Sequence, residues 1–251
     1  MKDIELLKID ENYYGEIGQK YLSNSDIGTL LTDPRQFRVR KKDNANFANG
    51  RLFHQLMLEP DKAVKFTYVG VSTRLTKVYK EFLLENNIEF AMLEHEYNAI
   101  HSMTKYAKSN LFFFDNVIGR EGENEVPGIK EINGVLFKAK ADRIVGDIVI
   151  DIKTTSDIKK FKWSAYNYNY DSQAYIYQTI FGKPMVFFVI DKNAKEDRRG
   201  NIYYDMGVYP VSEEFVASGE AKVAAAVKIY NKFYSQESKE NIEDYLINLT
   251  L

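Results

Sequence analysis

The chain has 251 residues, 45% hydrophobic and 28% charged, which is the composition of a soluble globular protein with room for a sizeable core. It has no cysteine, which excludes disulfides, thiolate zinc sites and iron–sulfur clusters, and no apolar run near the ~18 residues that span a membrane. Formal net charge is only −2, so any nucleic-acid partner must be met by local charge.

MKDIELLKIDENYYGE lacks the apolar stretch of a secretion signal, and a cytoplasmic location is the simplest expectation. NSDIGTLLTDP predicts a short helix capped by Ser25 or Asn24 and closed by Pro34. A helix is expected from about Phe47 to Leu58, stopped by Pro60. Amphipathic spacing predicts further helices over Leu75–Glu85 and Glu96–Lys108. The character changes near Glu123. NEVPGIKEI and GVLFKAKADRIV read as strands, and Asn133-Gly134 between them is a strong hairpin signal. A second turn at Gly146-Asp147 leads into IVIDIKTT, so these three strands form a meander. A tyrosine-rich helix is expected over Trp163–Phe181, ended by Gly182 and Pro184. MVFFVID then reads as a fully buried strand, NIYYDMGVYPV as a return strand at the sheet edge, and Phe215–Tyr234 as a closing helix.

This order predicts an α/β fold, a mixed central β-sheet flanked by helices with a helical N-terminal portion. No repeat or low-complexity linker divides it. One domain is expected over residues 1–251: mainly helical to about 120, an αβ core over about 121–210, and a C-terminal helix and tail over about 211–251.

DIVIDIKTT, Asp147 to Thr155, is the stretch that points to chemistry. Alternation along a strand puts Asp151 and Lys153 on one face and Ile150 and Ile152 on the other. Ionised groups are too costly to bury alone, so that face must meet water, a metal or a partner. An Asp–Lys surface pair is the plainer reading of these two residues. Asp142 changes the balance, because it precedes the turn by which the hairpin returns to Asp151. Two converging carboxylates repel unless a divalent cation lies between them. Asp142, Asp151 and the Ile152 carbonyl would then offer an oxygen-rich site for Mg²⁺, with Lys153 beside it to stabilise phosphate charge or orient the attacking water.

A D-(x)n-D-x-K hairpin followed by a helix resembles the PD-(D/E)XK nuclease superfamily, which has a restriction-endonuclease-like core. GVLFKAKADRIVGDIVIDIKTT followed by YDSQAYIYQ resembles the nuclease module of exodeoxyribonuclease VIII (RecE-like) and RecB-type exonucleases. The helix of that group carries a Q-x-x-x-Y pair, matched here by Gln173 and Tyr177. Tyr166, Tyr170, Gln173 and Tyr177 are spaced to line one helix face, which core packing alone would also explain. NGRLFHQLMLEP resembles the family's G-x-x-x-H-x-x-x-L-E-P segment, which makes His54 a metal ligand by resemblance. An imidazole among carboxylates also suits Mn²⁺, so Mn²⁺ is expected to substitute for Mg²⁺. YLSNSDIGTLLTDPRQF is similar to the family's opening motif at Ser25, Asp26, Pro34 and Phe37. The resemblance runs from about residue 20 to 210 and includes an acid at Glu125, whose role would be to support the ligands or hold a second metal. The spacing between Asp142 and Asp151 is on the short side for the family, and the absence of cysteine excludes the related iron–sulfur nucleases.

The resemblance implies a metal-dependent exonuclease that resects double-stranded DNA ends, 5′-to-3′, in phage or prophage recombination. It also implies a single-strand annealing protein as partner and a homo-oligomeric ring. Lys153, Asp142, Asp151, Gln173 and Tyr177 would form the catalytic group, with Gln173 and Tyr177 either contacting DNA or holding Lys153 and the ligands in place. His54, Asp142, Asp151 and Ile152 would hold metal. Arg74 and the cluster Lys159, Lys160 and Lys162 are candidate phosphate contacts, as is the RQFRVRKK run, although such runs also occur as solvated faces. An endonuclease on the same fold, a nucleic-acid-binding protein with an inactive site and a plain structural domain are the competing readings.

Overall fold

The computed structural model describes residues 2–64 and 66–246. Its centre is a five-stranded mixed sheet in the order β1-β2-β3-β4-β5. The strands are Glu123–Ile132 (β1), Val135–Val145 (β2), Ile148–Thr155 (β3), Met185–Asp191 (β4) and Met206–Pro210 (β5). The expected meander is present: β1, β2 and β3 pair antiparallel in turn. Asn133 and Gly134 both take positive φ, as a two-residue hairpin turn requires, and so does Gly146. β4 lies parallel to β3, with Asp151 beside Phe187 and Lys153 beside Val189, and β5 runs antiparallel along its outer edge.

The longer helices are Asn24–Thr32 (α1), Ala45–Leu58 (α2), Lys77–Glu85 (α3), Glu94–Ser109 (α4), Tyr170–Phe181 (α5) and Glu213–Phe233 (α6). Their starts follow the caps. Asn44, Thr76 and Ser212 accept bonds from the first-turn N–H groups of α2, α3 and α6. The cap of α1 is Ser23, not Ser25 or Asn24, because the Asp26 carboxylate reaches back to the Ser23 N–H (2.8 Å).

Two elements differ from expectation. The helix over Trp163–Phe181 is two helices, Phe161–Asn167 and α5, because Asn169 adopts a left-handed conformation (φ +57°) between them. Tyr166 therefore leaves the stripe and packs edge-on to Phe215, ring centroids 4.8 Å apart. The return strand over NIYYDMGVYPV also divides. Ile202–Tyr203 pairs with Lys195–Glu196 in a separate ribbon, and only Met206–Pro210 joins the central sheet. Between them Tyr204 is buried in the helical core and Asp205 pairs with Lys195.

Apolar layers form on both sides of the sheet. Ile150, Ile152, Phe188 and Ile190 pack with Leu52 and Phe53 of α2 and Met103 of α4. Val149, Phe187 and Val189 pack with Phe161, Ala165 and Ala174. Outside these, α1 and α6 join α5 through Ile27, Leu30, Ile176, Val223 and Val227. The α5–α6 approach is close: a Cβ at Gly219 would lie 2.0 Å from the Asp171 carbonyl oxygen. One turn on, Lys222 pairs with the buried Asp171 carboxylate at 2.9 Å. Gly219→Ala is expected to cost about 2–3 kcal/mol, at the upper end of overpacking penalties, read as a lower urea midpoint at unchanged slope. Among the described residues no helix is long and apolar enough to cross a membrane.

Candidate active site

The paired ladder between β2 and β3 ends at Arg143 with Ile150. Beyond it the strands part, and the Ile152 N–H donates to Asp142 Oδ2 (2.7 Å) rather than to a backbone carbonyl. In an extended strand the N–H and C=O of one residue point to the same side, so the Ile152 carbonyl also faces this gap. The Ile152 side chain is in the core beside α2. The same helix, anchored by fully buried Leu52 and Phe53, delivers His54, whose Nδ1 is 3.4 Å from Asp142 Oδ2.

Glu125 completes the group from β1. It stands between the pairs Asn124–Arg143 and Val126–Ala141, opposite Asp142, with φ +52°. One ligand atom from each of His54, Glu125 and Asp142 lies within 4.8 Å of the others. An imidazole and two carboxylates at this separation suit a divalent cation. Asp151 stands on the other side of the gap, 1% exposed. Gln173 Nε2 donates to its Oδ1 (2.5 Å), and Lys153 Nζ lies 2.6 Å from its Oδ2. Lys153 Nζ is also 4.9 Å from the Tyr170 ring centroid. The donor set of one imidazole and clustered carboxylates fits a divalent cation.

The electrostatics follow from crowding like charges in a sheltered place. Burial, reinforced by Asp142, pushes Glu125 up to about 7. Burial and the Asp142 charge likewise push Asp151 up to about 6, against the pull of Lys153. Burial also opposes the Asp142 carboxylate, but His54, Lys153 and the Ile152 N–H outweigh it and hold that acid below its usual range. Burial disfavours a charged His54, yet Asp142 and Asp151 raise it to about 9. Lys153 is likewise raised, since Asp151 and its neighbours overcome burial.

The signs combine. Glu125, Asp151 and His54 bind protons more tightly when folded, so their stabilisation is full at low pH and is lost as pH rises through about 6, 7 and 9. The melting temperature in EDTA is expected to fall from pH 5 to pH 8, with a shallower fall in Glu125→Gln. Saturating Mn²⁺, which replaces the protons, should flatten the profile in scanning calorimetry.

Glu125 carries a second consequence. A left-handed conformation at a non-glycine residue costs on the order of 1–2 kcal/mol. Glu125→Gly is expected to raise the stability of the metal-free protein by about 1 kcal/mol and to weaken Mn²⁺ binding at least ~10-fold. Calorimetry and titration on one sample check both. Equal metal affinity in the variant would remove Glu125 from the ligand set.

His54, Glu125, Asp142, Asp151, Lys153, Gln173 and Tyr177 line one open cavity of about 660 Å³. The Tyr177 hydroxyl donates to the Lys140 carbonyl (2.9 Å), so it fixes the β2 backbone two residues before Asp142. Lys140 and Asp10 also line the cavity and were not singled out from sequence; Lys140 Nζ donates to Asp10 Oδ1 at 2.6 Å. The alternation in KAKAD, which puts Lys138, Lys140 and Asp142 on one side of β2, was the available signal for the lysine. Nothing local marks Asp10.

Other candidates fall elsewhere. Arg74 is ion-paired to Glu96 and lies 4.9 Å from the Phe90 ring, and it does not line the cavity. Its guanidinium ties the segment before α3 to α4. Lys159, Lys160 and Lys162 are exposed beyond the end of β3, outside the cavity. In the basic run, Arg35 pairs with Asp33 and Arg40 with Glu89. Pro34 and Phe37 of the opening motif pack structurally: the Pro34 carbonyl accepts from the Tyr234 hydroxyl (2.6 Å), and Phe37 stacks near Tyr234.

A mixed sheet whose parted central strands present Asp142, Asp151 and Lys153 defines a PD-(D/E)XK-like α/β fold. Residues 31–244 match the family described as PDDEXK-like domain of unknown function (DUF3799), and the chain belongs to that family. Among solved structures, a candidate exonuclease from Eubacterium rectale aligns over 97% of this chain and 95% of its own, at 14% identity and a TM-score of 0.65. A phage-related exonuclease from Haemophilus somnus aligns over 84% and 93%, at 13% identity and a TM-score of 0.36. An alkaline exonuclease from Laribacter hongkongensis aligns over 83% and 87%, at 15% identity and a TM-score of 0.35. At 14% identity the likeness to the Eubacterium rectale structure is one of fold alone. No curated protein sequence matches the chain.

Proposed function

We propose that this protein is a divalent-metal-dependent deoxyribonuclease that digests linear double-stranded DNA from its ends. Mg²⁺ is the working ion, and Mn²⁺ replaces it. The observation that carries this reading is the convergence of His54, Glu125 and Asp142 with the Asp151–Lys153 pair in one open cavity. His54, Asp142, Asp151 and the Ile152 carbonyl hold the cation, with Glu125 joining them from β1. When bound, a divalent ion neutralises phosphate charge and acidifies water. Lys153 stays protonated and donates to a phosphate oxygen as charge builds on it. Gln173 positions Asp151, and Tyr177 holds the strand that carries Asp142. Lys159, Lys160 and Lys162 attract the DNA backbone. The proposal extends to residues 1–251 acting as one nuclease domain, to 5′-to-3′ resection in phage or prophage recombination, and to work as a ring beside a single-strand annealing protein. The resemblance of DIVIDIKTT and NGRLFHQLMLEP to the RecE-like exonucleases supports these finer points.

The test is Mg²⁺-dependent release of nucleotides from linear and covalently closed duplex DNA. Digestion of the linear form alone, stopped by EDTA, is the expected result. Cutting of the closed circle makes the protein an endonuclease. Folded protein that cuts neither substrate with Mg²⁺ or Mn²⁺ overturns the reading.

A further inference from the structure

The short helix Phe161–Asn167 buries one side and displays another. Phe161 and Ala165 are in the core, while Trp163 is 70% exposed. Tyr168, at the helix end, is 67% exposed. Trp163 is the chain's one tryptophan. Large aromatic faces left in water lose the free energy that burial would supply. Around them stand Lys159, Lys160 and Lys162, all exposed. Lys160 and Lys159 lie three and four residues before Trp163, in the 3-10 turn that leads into its helix. Lys160 pairs loosely with exposed Asp157 at 3.4 Å, and among the described residues Lys159 and Lys162 make no ion pair.

Tyr168 is linked through one ring to the lysine of the candidate site. The Tyr168 ring lies 5.9 Å from the Tyr170 ring, and the Tyr170 ring lies 4.9 Å from Lys153 Nζ. A line of aromatic rings therefore leads from the Lys153 ammonium to Tyr168, and Trp163 stands on the helix that Tyr168 closes.

We propose that Trp163 and Tyr168, with Lys159 and Lys160, form a landing surface for an unpaired DNA strand beyond the end of β3. The inference rests on the nuclease reading and adds to it a preference for single-stranded DNA at this face. Exposed bases stack on aromatic faces while lysines follow the phosphates. A duplex keeps its base faces stacked inside and can use only the lysines. A protein partner fits less well, because lysine is depleted at such interfaces.

Trp163 is its own reporter. The full chain is titrated with a 20-nucleotide oligo(dT), Ca²⁺ replacing Mg²⁺, while tryptophan emission and anisotropy of a labelled oligo(dT) are followed together. Saturable quenching by oligo(dT), with little response to a duplex of equal length closed by hairpins at both ends, is expected. Trp163→Ala and Tyr168→Ala should each weaken oligo(dT) binding about tenfold by anisotropy. Tyr168→Phe, which keeps the ring, should bind as wild type. Lys159→Ala with Lys160→Ala should reduce the salt dependence of binding. The proposal is overturned if oligo(dT) binds without changing Trp163 emission, if both alanine variants bind normally, or if no oligo(dT) is bound. It is also overturned if the closed duplex quenches as strongly, which would make the face a duplex clamp. Mg²⁺-dependent nucleotide release, run in parallel, judges the nuclease reading separately. Cleavage with a silent Trp163 sinks only the landing surface, and quenching without cleavage sinks only the nuclease.

Discussion

Asp142→Asn is expected to abolish Mn²⁺ binding by calorimetry and to lower Mg²⁺-dependent DNA digestion by on the order of 10³. Asp142 is the point at which the site converges. It faces His54 at 3.4 Å, stands across from Glu125 and accepts the Ile152 N–H at 2.7 Å. Asparagine has the same shape and still offers an oxygen to that N–H, so the parted strands keep their arrangement. What it removes is a negative charge among groups poised to share a cation. The loss should also show without metal. Asp142 is a leading cause of the raised proton affinity of Glu125, Asp151 and His54. In Asp142→Asn all three should move back toward ordinary values, and the fall of stability from pH 5 to pH 8 should shrink. Wild-type Mn²⁺ affinity and turnover in a folded Asp142→Asn protein would show that these residues are not the metal centre.

Lys153→Gln is expected to lower kcat by about 10²–10³ while Mn²⁺ still binds. Lys153 differs from the ligands because its ammonium cannot coordinate a metal. Asp151 and its neighbours keep it protonated despite burial, so it supplies fixed positive charge to the cavity. The variant also leaves the buried Asp151 carboxylate without its counter-charge. Breaking a buried pair from one side costs about 3–5 kcal/mol, reduced here as Asp151 takes up a proton. The double variant Lys153→Gln with Asp151→Asn should regain most of that stability and none of the activity. Stability and turnover thus separate a structural from a chemical role. Wild-type turnover in the single variant would remove Lys153 from the chemistry.

Several parts of this protein could be read from sequence because they obey local rules. Branched residues in IVIDIKTT and MVFFVID specify strands, and Asn133-Gly134 and Gly146-Asp147 specify the turns that make a meander. Period-2 alternation puts Asp151 and Lys153 side by side, and the structure holds them 2.6 Å apart. Alternation and turn chemistry act over a few residues, so they survive without any knowledge of the rest of the chain.

The grouping of the candidate site was decided elsewhere. Gln173 and Lys153 hold Asp151 on β3 within range of the Asp142 charge, and Glu125 joins His54 and Asp142 from β1. That grouping depends on a left-handed residue within β1 and on strands that part after Arg143, neither of which leaves a periodic trace. Asn169 breaks the expected long helix by the same kind of single-residue conformation, and with it the tyrosine stripe. Arg74 is ion-paired to Glu96, a partner that no local pattern points to. Lys140 meets Asp10 across 130 residues of chain. By itself the sequence determined the strands, the turns and which residue types could do chemistry. Only the tertiary structure decided which carboxylates meet, because convergence is set by how strands separate and helices dock over distances that no local pattern encodes.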